Sequence, residues 1–216
     1  MSRENNELHR NLDFAYRVLR AEESTREVIV LLHGSGVDET SMLPFGRSLA
    51  PLATLIAPRG RVPQEGGWRW FERITPTRFD QASIRLETAR FAAFVEKLAA
   101  VENFDPEAAT FVGYSNGANL ISSLMLLHPG LVRRAVLLRA MPVLDDVPAA
   151  DLAHAEALVI GGRRDVTYGP YAPALVALLR GHAATVEART VALGHEYGEE
   201  DAVLIRKWLA AGREIA

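Results

Sequence analysis

The segment Gly113-Tyr114-Ser115-Asn116-Gly117 limits what this 216-residue chain can fold into more than any other feature. It fits the pattern G-x-S-x-G, which arises by chance too often to mean much alone. Its setting is what makes it specific. An apolar, β-prone run (Thr110-Phe111-Val112) leads directly into it, and an amphipathic helical run ending at Leu127 leads directly out. A turn that sharp leaves little room for side chains beside the serine. Glycine at 113 and 117 removes Cβ atoms that would meet the neighbouring strand and helix. The expected result is Ser115 exposed at the carboxyl edge of a sheet, with the Asn116 N–H at a helix N-terminus.

Short β-rich runs alternate with longer helical patterns along the rest of the chain. Strands are expected at 14–19, 27–32, 53–57, 109–112, 135–138, 157–160 and 186–191. Helices are expected at 83–100, 116–127, 172–179 and 201–211. Ile84, Phe91, Phe94, Val95 and Leu98 recur on one helical face. In the last helix Val203, Leu204, Trp208 and Leu209 are the candidates for the buried side. This alternation argues a mainly parallel sheet covered by helices on both faces, in one domain over 1–216. The stretch from Arg61 to Gln81 has no readable period and is unusually aromatic. It is expected to be a long irregular loop near the site.

Composition closes several alternatives. Lys+Arg 24 against Asp+Glu 27 offers no electrostatic case for a nucleic-acid or membrane partner. The absence of cysteine removes disulfides and a cysteine nucleophile. The polar N-terminus lacks the apolar run of a signal peptide, and no stretch approaches the ~18 apolar residues of a membrane span. A soluble cytoplasmic protein is the default expectation. No histidine pair has H-x-x-x-H spacing, so neither a metal nor another cofactor is expected.

A serine needs a base, and histidine has the pKa for it. Of six histidines, His195 stands out. It lies between the last strand and the last helix, at the carboxyl edge of the sheet. His33, ahead of a glycine-rich turn, reads as structural. The acid belongs at a strand end between serine and histidine. Asp165 after ALVIGG is favoured by chain order, and Asp145 and Asp146 are its competitors. A tetrahedral intermediate needs two N–H donors. Asn116 supplies one and the loop His33-Gly34-Ser35-Gly36 supplies the other, with Ser35 the best candidate. The loop lacks G-x-x-x-x-G-K-[ST], so it is not a phosphate-binding P-loop. The interval between AVLL and ALVI is too short for a helical lid. An open pocket with Gly36, Trp68, Trp70 and Met141 among its walls is therefore expected.

As a set, LLHGSGVDE (31–39), APRG (57–60), GGWRWF (66–71), GYSNGA (113–118), GGRRD (161–165) and GHEYGEED (194–201) resemble the carboxylesterase/phospholipase family of small α/β-hydrolases, closest to a bacterial esterase branch. The resemblance implies an α/β-hydrolase fold without a lid. It implies action on small-molecule esters or thioesters without a cofactor, in a family whose members are often homodimers. It carries the triad to Ser115, Asp165 and His195, and the oxyanion donors to Ser35 and Asn116. One departure is Val166, where many relatives have proline after the acid. A thioesterase or protein deacylase of the same fold, and a hydrolase-fold binding protein with negligible turnover, stand as the alternatives.

Overall fold

The computed structural model describes residues 7–212 except 22, 24 and 65, so most of the polar N-terminal decapeptide lies outside the described residues. Apolar runs such as Val28-Ile29-Val30-Leu31-Leu32 become strands that bury both faces. Val30 and Leu32 pack with Phe111, Leu137, Phe94 and Ile121 on one side of the sheet. Ile29 and Leu31 pack with Val112, Leu138, Leu43 and Ile205 on the other. Each such side chain contributes about 1.5–3 kcal/mol when fully buried.

The elements run β1 (Tyr16–Leu19), β2 (Val28–Leu32), α1 (Leu43–Leu49), β3 (Thr54–Pro58), β4 (Val62–Gln64), β5 (Gly67–Arg69), β6 (Arg73–Thr75), β7 (Arg78–Phe79), α2 (Gln81–Glu102), β8 (Thr110–Tyr114), α3 (Asn116–Leu127), β9 (Arg134–Leu138), β10 (Glu156–Gly162), α4 (Ala172–Gly181), β11 (Thr185–Val191) and α5 (Glu199–Ala211). The main sheet has the order β1-β3-β2-β8-β9-β10-β11. Only β1 is antiparallel to its neighbour; the other pairings are parallel. Helices α2, α3 and α4 cover one face, and α1 and α5 the other. All the parallel strands therefore end at one edge, where the loops carrying Ser35, Ser115, Asp165 and His195 gather. Among the described residues no helix is long and apolar enough to cross a membrane.

Two expectations are corrected. The stretch 61–81 is not an irregular loop but two small antiparallel hairpins, β4–β5 and β6–β7. Strands of two or three residues are too short to show a period. In α5 the inward face is Asp201, Ala202, Ile205 and Leu209, whereas Val203 is exposed. A buried aspartate at the head of the stripe disguised it.

His33 caps the end of β2 and is buried. Its Nδ1–H donates to the Gly34 carbonyl at 2.6 Å, and its Nε2 accepts the Gly60 N–H at 2.9 Å. Burial pushes its pKa down to about 4, and the Gly34 carbonyl, Asp38 and Glu39 only partly oppose this. Unfolded, the ring titrates near 6.5. Between those values the unfolded chain takes up a proton that the folded chain refuses. The contribution is thus fully present above about pH 6.5 and is lost as pH falls toward 4, on the order of 3 kcal/mol. Melting temperature is expected to drop between about pH 7 and pH 4.5. His33→Gln, less stable at neutral pH, is expected to show a smaller drop. Equal drops in the two proteins would place the acid lability elsewhere.

Candidate active site

Strand β8 ends at Tyr114 and α3 begins at Asn116, so the whole turn is Ser115, with φ 51 and ψ −113. A side chain on left-handed backbone costs about 1–3 kcal/mol and persists only where its surroundings enforce it. Here the Ser115 N–H donates to the Leu138 carbonyl at 2.8 Å and the Ser115 carbonyl accepts the Asn119 N–H at 2.9 Å. The helix also starts in contact with β2. A Cβ on residue 117 would lie 2.2 Å from the Leu32 carbonyl oxygen, and one on residue 113 would lie 2.6 Å from the Ala118 nitrogen. Only glycine fits at either position.

Ser115, His195 and Asp165 come together from three strand ends. The Ser115 Oγ is 3.0 Å from His195 Nε2. His195 Nδ1 is 2.6 Å from Asp165 Oδ2. Asp165 is buried, and its Oδ1 accepts the Tyr168 N–H at 2.9 Å. Burial raises the Asp165 pKa, but the Tyr168 N–H, the His195 hydrogen bond and charge, and the Thr167 N–H outweigh it and leave it below its ordinary value. The carboxylate is therefore ionised and can only accept. This puts the imidazole proton on Nδ1 and turns the Nε2 lone pair toward the serine. The Tyr168 ring packs on the imidazole, 4.6 Å between centroids. Asp145 and Asp146 lie elsewhere: the Asp145 N–H donates to Gln81, and Asp146 is an exposed partner of Arg85.

The segment after β2 faces the serine across a small cavity. Ser35 and Asn116 both border it. Neither backbone N–H donates to a protein acceptor among the described residues. Strand β5 and the residue after it clamp the pair. The Gly36 N–H donates to the Trp68 carbonyl at 3.1 Å, and Arg69 Nη1 donates to the Ser35 Oγ at 2.5 Å. The Trp70 N–H donates to the Asn116 Oδ1 at 2.8 Å, and its indole N–H to the His33 carbonyl at 2.8 Å.

The expected pocket walls are corrected. Trp70 is fully buried among Phe14, Phe91 and His33, where its large apolar ring leaves water while its indole N–H keeps a partner in the His33 carbonyl. Met141 is buried too, its N–H held by the Asn119 Oδ1 at 2.9 Å. Gly36 is pressed against Gly67. Trp68 pairs with Val37 and carries the Arg59 guanidinium over its ring. The walls beside Ser115 come instead from Arg69, Arg73, Pro76, Phe79, Asn119 and Tyr168, with Arg139 below. The segment between β9 and β10 has no helix, so no lid covers them. The cavity itself is about 20 Å³, room for roughly one water. A larger groove of about 590 Å³ between α4 and β11 does not reach the serine. Among the described residues no three His, Asp or Glu side chains converge as a metal site would require.

Arg139, Tyr168 and Asn119 were absent from the sequence expectations. Only Arg139 left a trace there, as a charge directly after the apolar strand AVLL.

No family model matches the chain. Its structure is similar to the carboxylesterase from Mesorhizobium loti, with a TM-score of 0.94 and 59% identity over 96% of this chain and 99% of that one. The Bacillus cereus carboxylesterase is 25% identical, with a TM-score of 0.88 over 93% of this chain and 95% of that one. The MhqD protein of Bacillus subtilis strain 168 is 29% identical over 182 residues, which is 84% of this chain and 91% of that protein. Near-complete coverage at 59% identity, on a parallel sheet with a strained serine at its strand-to-helix turn, leads to one conclusion: the chain belongs to the carboxylesterase/phospholipase family of small α/β-hydrolases and is an ester-hydrolysing enzyme.

Proposed function

We propose that the enzyme cleaves short-chain carboxylic esters of small molecules through an acyl-enzyme on Ser115. The observation that carries this is the chain of contacts from Ser115 Oγ to His195 Nε2 at 3.0 Å and from His195 Nδ1 to Asp165 at 2.6 Å. The Ser115 oxygen attacks the ester carbonyl as its proton passes to His195 Nε2. Asp165 holds the tautomer and stabilises the imidazolium. The carbonyl oxygen becomes an oxyanion facing the N–H groups of Ser35 and Asn116, donors with no competing acceptor among the described residues. Collapse of the tetrahedral adduct breaks the bond to the alcohol, which leaves with the proton from His195. A water then attacks the acyl-enzyme, gives its proton to the same nitrogen, and the acid departs as the serine recovers its proton. No step calls on a cofactor.

The chain-length reading rests on space. A cavity of about 20 Å³ is far below the roughly 300–1,000 Å³ of sites that enclose a drug-sized ligand. An acyl tail beyond a few carbons lies over open surface, where a methylene gains little of the ~0.8 kcal/mol that full burial gives.

Ser115→Ala is expected to lower ester turnover by several orders of magnitude, on the scale of about 10⁶ for loss of a serine nucleophile, and a fluorophosphonate should label Ser115 alone. Full activity in that variant would sink the mechanism. Asp165→Asn is expected to lower kcat by about 10⁴ with little change in KM, the scale of that exchange in a serine protease. Asp145→Asn and Asp146→Asn are expected to stay within a few-fold of the parent, and a collapse in either would move the acid. On p-nitrophenyl esters from acetate to palmitate, kcat/KM is expected to peak between acetate and hexanoate. A maximum at palmitate would reveal an acyl tunnel and defeat the chain-length reading.

A further inference from the structure

We infer that Arg139 is a positioning residue for the His195 base, which it holds by gripping the backbone on both sides of that residue. The inference rests on the triad reading above. Residues 192–198 form no regular element, so the histidine hangs from a loop while the serine and the aspartate sit against strand ends. Arg139 is the first residue after β9, and its side chain is wholly buried beneath that loop. Its Nε–H donates to the Gly194 carbonyl at 2.9 Å. Its Nη2 donates to the Glu196 carbonyl at 2.7 Å. Gly194 and Glu196 are the two neighbours of His195 in the chain. One planar, rigid group thus fixes a backbone carbonyl on each side of His195.

The remaining donors anchor the guanidinium. Nη1 and Nη2 bond the two Asp201 oxygens at 2.8 and 2.9 Å, and Nη1 also reaches the Ile160 carbonyl at 3.3 Å. All five N–H groups of the fork are used. Asp201 in turn accepts the Gly198 N–H at 2.9 Å, which fixes the start of α5 at the far end of the same loop. The loop lies so close to β10 that a Cβ on Gly162 would be 2.0 Å from the Gly194 carbonyl oxygen. Arg139 itself has φ 53, a backbone conformation held against its own preference.

Arg139 also borders the cavity at Ser115. Its charge is cancelled by Asp201 in a bidentate pair with both side chains buried. The inferred effect is therefore one of geometry rather than of field. Lysine at this position keeps the charge, but its three donors on one nitrogen cannot span both carbonyls and the carboxylate.

The test compares Arg139→Lys with the paired change Arg139→Met/Asp201→Leu, which leaves no buried charge behind and so protects folding. Each is assayed well below its melting temperature, and rates are normalised to folded protein. Both are expected to lose kcat by about 10- to 100-fold, the scale of a misplacement near 1 Å, with KM within a few-fold of the parent. The downfield proton signal of His195 Nδ1–H against Asp165 is expected to broaden or vanish. A folded variant of either kind with kcat within twofold of the parent and an intact signal would overturn the inference. Retained activity in Arg139→Lys with loss only in the paired variant would also overturn it, because charge would then be what matters. His195→Ala serves as the control: an active His195→Ala would overturn the triad reading and this inference with it, whereas an inactive His195→Ala beside a fully active Arg139 variant would overturn this inference alone.

Discussion

The first turn of α3 rests directly on the end of β2, and most of the site follows from that contact. Gly117 lets the helix begin where the Leu32 carbonyl oxygen would lie only 2.2 Å from any Cβ. With the helix that close, one residue must make the entire turn from β8. That residue is Ser115, and its left-handed backbone is the geometric consequence. The same contact brings Asn116, at the helix start, beside the loop that continues β2 through His33 to Ser35. Ser35 and Asn116, from separate elements, thus border one cavity. Trp70 joins them, with its backbone N–H on the Asn116 amide and its indole N–H on the His33 carbonyl.

The described residues include four non-glycine positions of positive φ. Asn103 closes α2 and Ala183 follows α4, places where helices commonly end in this conformation. The other two, Ser115 and Arg139, follow the adjacent strands β8 and β9 at the carboxyl edge. Strain of this kind costs about 1–3 kcal/mol per residue and gathers where function needs a fixed direction. The buried Arg139–Asp201 pair has the same character. Its desolvation penalty can exceed the attraction, and apolar side chains of similar size serve stability as well. What apolar side chains cannot do is hold three carbonyls at set positions.

The inner strands β2, β3, β8, β9 and β10 were legible because they are buried on both faces and so appear as nearly unbroken apolar runs, and α3 was bounded correctly from the serine turn alone. The meeting of Ser115, Asp165 and His195, with Ser35 and Asn116 beside them, was legible because chain order and strand ends constrain their positions strongly. The hairpins at 62–79 were not legible, since two- and three-residue strands built from Pro63, Gln64, Gly67 and Arg73 show no alternation. The pocket walls failed for a different reason. Large aromatic side chains near a site attract a binding role on paper, yet Trp70 and Phe71 bury more apolar area by turning inward. Arg139 and Asp201 are 62 positions apart, and a polar pair at that distance leaves no local pattern. Asp201 even concealed the inward face of α5, because the stripe 201, 205, 209 begins with a charge.

The inward turn of those aromatics has a consequence for how substrates are distinguished. With Trp70 in the core, the cavity beside Ser115 is bordered by Arg69, Arg73, Asn119 and Tyr168, and Phe79 is its one large apolar wall. Contacts of that kind supply little uniform binding energy to an alkyl chain, because a methylene gains its ~0.8 kcal/mol only on leaving water. In the proposed mechanism the groups that act on the reacting carbonyl are two N–H donors, the imidazole that Arg139 clamps and the serine on its left-handed turn. Interactions of this type strengthen as the oxyanion forms, so they raise kcat rather than lower KM. In the proposed reading, selectivity therefore comes from how well the ester carbonyl and its immediate substituents fit against Ser115, and the length of what trails behind them matters less.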